Sequence, residues 1–140
     1  MTRFWRAWLL AAAGITALAG LAFAAITTFG ATGTHNALFD LVMLPGDLEA
    51  PAGEVASFAI GVAGAVMVGW AVTLLILLGN RSAELPPSTW RAVTLGLSAW
   101  FIVDGIMSIA AGAIGNVVLN VAFLAMFAPA LIATRPEARQ

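Results

Sequence analysis

Three long stretches of this chain carry almost no charge, and they limit the folds open to it. Residues 7–39 and 55–80 contain no Asp, Glu, Lys or Arg, and residues 92–134 contain only Asp104. A helix needs about 20 apolar residues to cross the roughly 30 Å of hydrocarbon in a bilayer. The first two stretches are therefore long enough for one membrane span each, and the third is long enough for two.

The predicted fold is all-α, an integral membrane four-helix up-down bundle. A transmembrane β-barrel would show alternating segments of about ten residues, whereas these stretches are apolar throughout. The composition agrees, because 61% of the residues are hydrophobic, 9% are charged and the mean hydropathy is +0.99. The whole chain is predicted to be a single transmembrane domain, with spans at residues 8–29, 55–78, 90–110 and 116–133.

The arginines predict the orientation of this bundle. All six lie on one side of it if four spans alternate: Arg3, Arg6, Arg81, Arg91, Arg135 and Arg139. Arginine-rich loops stay in the cytoplasm, so both termini are predicted to be cytoplasmic and the chain to lie in the inner membrane of a bacterial-type cell. Trp5, Trp8 and Trp90 would then lie at the inner boundary, where indole rings are enriched.

The first stretch also has features of a cleavable signal peptide. Arginines precede an apolar segment, and residues 22–24 read Ala-Phe-Ala, which matches a cleavage site. The apolar run continues to Phe29, however, beyond the about 7–15 residues of a signal-peptide core. This length favours an uncleaved membrane span.

The connection between the first two spans is the longest in the chain. Within it, residues 37–44 are apolar except for Asp40 and are too few to cross a membrane. They are predicted to form a short helix in the outer interface, followed by a solvated acidic stretch. In the loop before the third span, Ser88 is predicted to be the helix N-cap.

Asp104 is the residue that most needs an explanation. It lies about 21 Å along the third span from Trp90, at 1.5 Å per residue. An acid at the centre of a membrane helix costs roughly 2.5–3.5 kcal/mol, so it needs a polar partner, water or a proton. Asn116 and Asn120 share one face of the fourth span, and Ser108 lies one turn after Asp104. We expect these four residues to form a polar intramembrane cluster.

This cluster has two interpretations. It is either a hydrogen-bonded clamp between the third and fourth spans, which we favour, or a site that couples transport to protons or cations.

Small residues recur at every fourth position in the first two spans. The first span has Ala12, Thr16, Gly20, Ala24 and Thr28, and the second has Ser57, Gly61, Ala65, Gly69 and Thr73. Small side chains let helix backbones approach closely in lipid. The favoured interpretation is that these spans pack on each other, and the alternative is that one stripe faces another subunit.

Two tryptophans and one histidine complete the set of candidate residues. Trp70 and Trp100 are expected at similar depths in the second and third spans, either as core residues or as the walls of a pocket for a hydrophobic ligand. Their N–H groups need acceptors. His35 is the only histidine and is interpreted as an ordinary interfacial residue rather than a metal ligand.

The residue content argues against several classes of protein. The chain has no Cys, a single His, no Gly-x-Ser-x-Gly motif and no glycine-rich phosphate loop. No catalytic residue, cofactor or metal is therefore predicted, and the chain is not expected to be an enzyme. With a net charge of −1 and scattered arginines, nucleic acid is not an expected partner.

The sequence predicts a structural or accessory membrane protein that acts through helix–helix contacts. Its expected partners are the lipid bilayer and either further copies of itself or the subunits of a membrane complex. The alternative is a small oligomeric transporter or channel that couples to protons or cations through Asp104.

Overall fold

The computed structural model of the protein describes residues 1–30, 32–44, 53–79 and 86–136, which are all helical or connecting, without strands. The helices are α1 (Arg3–Phe29), α2 (Thr32–Met43), α3 (Glu54–Gly79), α4 (Pro87–Ala110) and α5 (Ile114–Ala133). Helices α1, α3, α4 and α5 are long and apolar enough to cross a membrane. The prediction of an all-helical chain with four such helices is confirmed.

Local sequence signals explain where these helices begin. The side chain of Thr2 accepts the N–H of Trp5 at 3.4 Å, and α1 accordingly starts at Arg3. Helix α4 starts at Pro87, because proline at the first helical position has a suitable φ and its missing N–H is not needed there. The predicted N-cap at Ser88 is therefore wrong, since Ser88 lies inside the first turn.

Helix α2 begins earlier than the short helix expected at residues 37–44. It has 12 residues, too few to cross a membrane. The ring Nε2 of His35 donates a hydrogen bond to the carbonyl oxygen of Ile26, near the end of α1. Leu38 and Phe39 are buried, so α2 packs against the long helices. The acidic residues expected to be solvated lie largely outside the described ranges.

The apolar core lies where the first half of α1 and of α4 meets the second half of α3 and of α5. Its buried members are Leu9, Ala12, Ala13, Leu74, Leu78, Leu97, Phe127, Ala130 and Leu131. Two tryptophan indoles donate hydrogen bonds to backbone carbonyls of α5 in this region. Nε1 of Trp8 donates to the carbonyl oxygen of Met126 at 2.7 Å, and Nε1 of Trp90 donates to that of Leu131 at 2.9 Å. The second bond gives a partner to one of the final carbonyls of α5, which have none within the helix.

Beyond this core, α1 and α3 cross closely at two glycines. A Cβ atom on Gly64 would lie 2.5 Å from the carbonyl oxygen of Gly20, and one on Gly20 would lie 2.6 Å from that of Gly64. Any side chain at either position would push the helices apart. A Cβ on Gly61 would lie 2.9 Å from Oγ1 of Thr27, so α1 and α3 run antiparallel at this contact.

Candidate functional site

A tight turn between α4 and α5 brings the candidate polar residues together. Gly112 has φ +73°, a left-handed conformation that glycine adopts without a Cβ clash. The N–H of Ala113 donates to the carbonyl of Ser108 at 2.8 Å, and that of Gly112 donates to the carbonyl of Ile109 at 3.1 Å. These are the two bonds of a Schellman motif. The chain thus reverses by residue 113. Gly115, which the predicted span boundaries place in the connection between the third and fourth spans, lies in α5.

The four residues of the expected polar cluster are hydrogen-bonded to one another. Nδ2 of Asn116 donates to Oδ2 of Asp104 at 3.0 Å and to Oγ of Ser108 at 2.8 Å, and Nδ2 of Asn120 also donates to Oδ2 of Asp104. Ser108 and Asn120 are buried, whereas Asp104 and Asn116 are half-buried. We call these four residues the Asp104 cluster.

The donors in the Asp104 cluster act on one carboxylate oxygen. Two amide groups converge on Oδ2, and Oδ1 accepts no hydrogen bond from any described residue. The amides of Asn116 and Asn120 present N–H donors to Oδ2, whereas a hard cation would need several oxygen ligands. Among the residues that the structure describes, no group of three His, Cys, Asp or Glu side chains is suited to hold a metal ion. This arrangement suits a clamp better than a cation site.

Trp70 and Trp100 each pair with a different phenylalanine of α5. The Trp70 ring lies 5.5 Å from that of Phe127, and the Trp100 ring lies 6.5 Å from that of Phe123 in an edge-to-face arrangement. The small cavity beside Phe127 has a volume of about 10 Å³, room for one water molecule, and neither tryptophan lines it.

The stripe of small residues on α3 is divided between two faces. Gly61 faces α1, and Ser57 is half-buried, but Ala65, Gly69 and Thr73 are exposed. The cause is helical geometry: residues four apart drift by about 40° per step, so a stripe of five turns by about 160°. On α1, Thr16 and Gly20 are both buried. The hydroxyl of Thr16 donates to the carbonyl of Ala12 at 2.9 Å.

Two contact residues are absent from the stripes read in the sequence. Gly64 lies three positions after Gly61. A small residue at this spacing of three, rather than four, is the sequence signal for its contact with α1. Gly115 packs against the backbone of α2, and nothing in the sequence indicates that contact.

Comparison of the chain with known protein families, with curated proteins and with solved structures finds no match. The assignment of a function therefore rests on the chain's own residues.

Proposed function

We propose that this chain is a multi-pass inner-membrane protein that acts as a structural or accessory subunit through helix–helix contacts. Its four long helices would cross the bilayer up and down, with both termini in the cytoplasm and α2 in the outer interface. Three features support this arrangement. The four helices have suitable length and hydropathy, α1 and α3 make an antiparallel contact, and every arginine lies on one side of such a bundle.

The observation that carries the accessory role is the convergence of Asn116 and Asn120 on Oδ2 of Asp104. The only acid between Arg91 and Arg135 is thereby used in bonds within the chain. Hydrogen bonds between membrane helices average about 0.6 kcal/mol each. The Asp104 cluster thus acts as a clamp that fixes α5 against α4.

The outward surfaces offer room for partner helices. Only 11% of the apolar stretch of α4 is buried, and 28% of that of α1. On α3, Ala65, Gly69 and Thr73 form an exposed face of small residues. We propose that this face receives a helix of a second copy or of another subunit, because small residues permit close packing in lipid.

Two substitutions at position 104 test the clamp. Asp104→Asn keeps an oxygen that accepts both amides, whereas Asp104→Leu leaves the buried amide of Asn120 without this acceptor, at about 1–3 kcal/mol, while Asn116 keeps its bond to Ser108. We expect Asp104→Asn to keep nearly the original thermal stability in detergent and Asp104→Leu to lose several degrees. Equal losses for both variants would contradict the clamp.

Native mass spectrometry of gently extracted protein tests the accessory role. We expect a defined assembly that Gly69→Leu weakens and Gly96→Leu does not, since a Cβ at either glycine meets open space in one chain. A monomer without partner subunits would contradict the role.

A second candidate is a proton- or cation-coupled transporter, and one observation favours it. Oδ1 of half-buried Asp104 has no hydrogen-bond partner among the described residues, so it is available to bind a proton. Ion flux into liposomes under a pH gradient tests this function. Flux that Asp104→Asn abolishes without loss of stability would establish transport and exclude a purely structural role.

A further inference from the structure

One hydrogen bond fixes the start of α4 beside the end of α5. Nε1 of Trp90, near the start of α4, donates to the carbonyl oxygen of Leu131, in the last turn of α5. The half-buried ring of Trp90 packs against the apolar core, so the bond lies where the core reaches the end of the bundle. The residues that flank Trp90 and Leu131 are therefore held in the same region of the molecule.

An arginine follows each partner of this bond. Arg91 is the residue after Trp90. Arg135 lies four residues after Leu131, and its N–H donates to the carbonyl of Ile132 at 3.3 Å, which keeps the chain in a turn as far as Arg135. Both arginine side chains are exposed, and neither forms an ion pair or a hydrogen bond with a described residue. We call Arg91 and Arg135 the arginine seam.

The charges of the chain are divided between its two ends. The described arginines lie toward the core end and the described acids lie toward the Asp104 end, with Arg3, Arg6, Arg91 and Arg135 on one side and Asp40, Glu54 and Asp104 on the other. Against the six arginines of the whole chain, the sequence places two acids, Glu84 and Glu137, in the segments next to the core end. The core end therefore attracts anions.

The surface beside the arginine seam is apolar and offers a place for acyl chains. Leu95 lies one turn after Arg91 on the same face of α4, Ile102 follows two turns later, and both are exposed. On α5, Ile132 is exposed close to the seam. The exposed ring of Trp8 belongs to the same end, and indole rings are enriched at the headgroup level of a bilayer. A ligand with an anionic group at the seam and hydrocarbon along α4 is a phospholipid rather than a free phosphate.

We propose that the arginine seam binds the phosphodiester of an anionic phospholipid, whose acyl chains lie along the exposed face of α4. Arginine presents a planar fork of N–H donors that matches two phosphate oxygens, and basic pockets between membrane helices bind anionic headgroups. A phosphate shared by Arg91 and Arg135 neutralises two groups that otherwise repel each other, and it ties α4 to α5 beside the Trp90 bond. The site rests on the proposed membrane placement of the chain and goes beyond the accessory role, since it needs no protein partner.

Native mass spectrometry of the full chain in detergent micelles, titrated with dioleoyl phosphatidylglycerol, tests the site. We expect Arg91→Gln and Arg135→Gln each to weaken binding about tenfold, as the loss of a hydrogen bond to a charged group does. Arg3→Gln is the matched control, because Arg3 is also exposed but belongs to α1, and it should leave binding nearly unchanged. Equal losses in all three variants would mean diffuse attraction to positive charge and would overturn the proposal.

Two competing ligands make the result specific. Dioleoyl phosphatidylcholine has the same phosphodiester and acyl chains with an added cation, and should bind more weakly than phosphatidylglycerol because the arginines repel that cation. Equal binding of the two lipids would exclude a site for anionic lipid. Displacement of phosphatidylglycerol by millimolar inorganic phosphate would identify a free-anion site and would also overturn the proposal.

Thermal melts without lipid separate binding from folding. Arg91→Gln and Arg135→Gln should melt with the unmodified chain, because neither arginine side chain bonds to a described residue. Arg91→Lys keeps the charge without the planar fork, and should recover part of the affinity that Arg91→Gln loses. No recovery in Arg91→Lys, together with a lowered melting temperature in both glutamine variants, would show a structural role in place of a lipid site. None of these outcomes depends on whether partner subunits co-purify, so the site and the accessory role can fail separately.

Discussion

The end of the molecule that contains Leu9 and Leu131 and the end that contains Asp104 are held together in different ways. At the first end, side chains from all four long helices meet in one apolar core. At the second end, α1 and α3 touch through glycines and α4 and α5 bond through the Asp104 cluster. Lipid tails are as apolar as leucine, so burial alone gives the core little advantage there. The core depends on close packing of side chains. The other end depends on directional hydrogen bonds and on the close approach of the α1 and α3 backbones.

The largest expected effect is on the core. Phe127 is 1% exposed and contacts Trp70, so Phe127→Ala should cost about 3–5 kcal/mol through the cavity it leaves. Reversible unfolding in mixed micelles, followed by circular dichroism, measures this. Phe58→Ala, at a position that is 73% exposed, is the matched control and should change little. A comparable loss for both variants would mean that the core does not dominate stability.

The crossing of α1 and α3 should come next. Gly64→Val places a side chain against the backbone of Gly20 and should cost about 1–3 kcal/mol or more, as overpacking does. Gly96→Val makes the same change of residue type within a helix, but its Cβ meets open space. The same unfolding assay should separate the two variants. If they match, the glycine crossing adds nothing specific to stability.

A smaller effect is expected from the indole bond at the core end. Trp90→Phe keeps a ring but removes the N–H that donates to Leu131, and should cost about 1 kcal/mol. Trp100→Phe is the control, because the Trp100 indole donates no hydrogen bond to the described residues. In thermal melts, Trp90→Phe should lower the melting temperature more than Trp100→Phe does. The opposite order would show that the Trp90 hydrogen bond does not hold α4 to α5.

The smallest expected effect is the pairwise coupling inside the Asp104 cluster. A double-mutant cycle of Asp104→Ala and Asn120→Ala should give about 0.6 kcal/mol, with about 1.7 kcal/mol as the upper end for membrane proteins. A second cycle that pairs Asp104→Ala with Thr73→Ala should give about zero, since Thr73 bonds within its own helix. Coupling of equal size in both cycles would reject the clamp.

The sequence predicts the helices and the contacts between neighbouring helices better than it predicts contacts between distant ones. The length of each uncharged segment is enough to predict a long helix, because that length depends on one segment alone and not on its neighbours. The grouping of Asp104 with Asn116 and Asn120 follows from a short connection and helical spacing. Contacts between helices distant in sequence are harder to predict. The seat of α2 on Gly115 and the bond from Trp8 to Met126 depend on how whole helices pack, and no local pattern encodes that.

The bond between Trp8 and Met126 has a consequence for biosynthesis. Trp8 precedes Met126 by 118 residues, so it leaves the ribosome well before its acceptor is made. Helices α1 and α3 can pair while the later part of the chain is still being made, but the core end cannot close until α5 has been inserted. A nascent chain that stops before α5 would leave the indoles of Trp8 and Trp90 without their acceptors. Insertion of α5 is therefore the step that closes the core end.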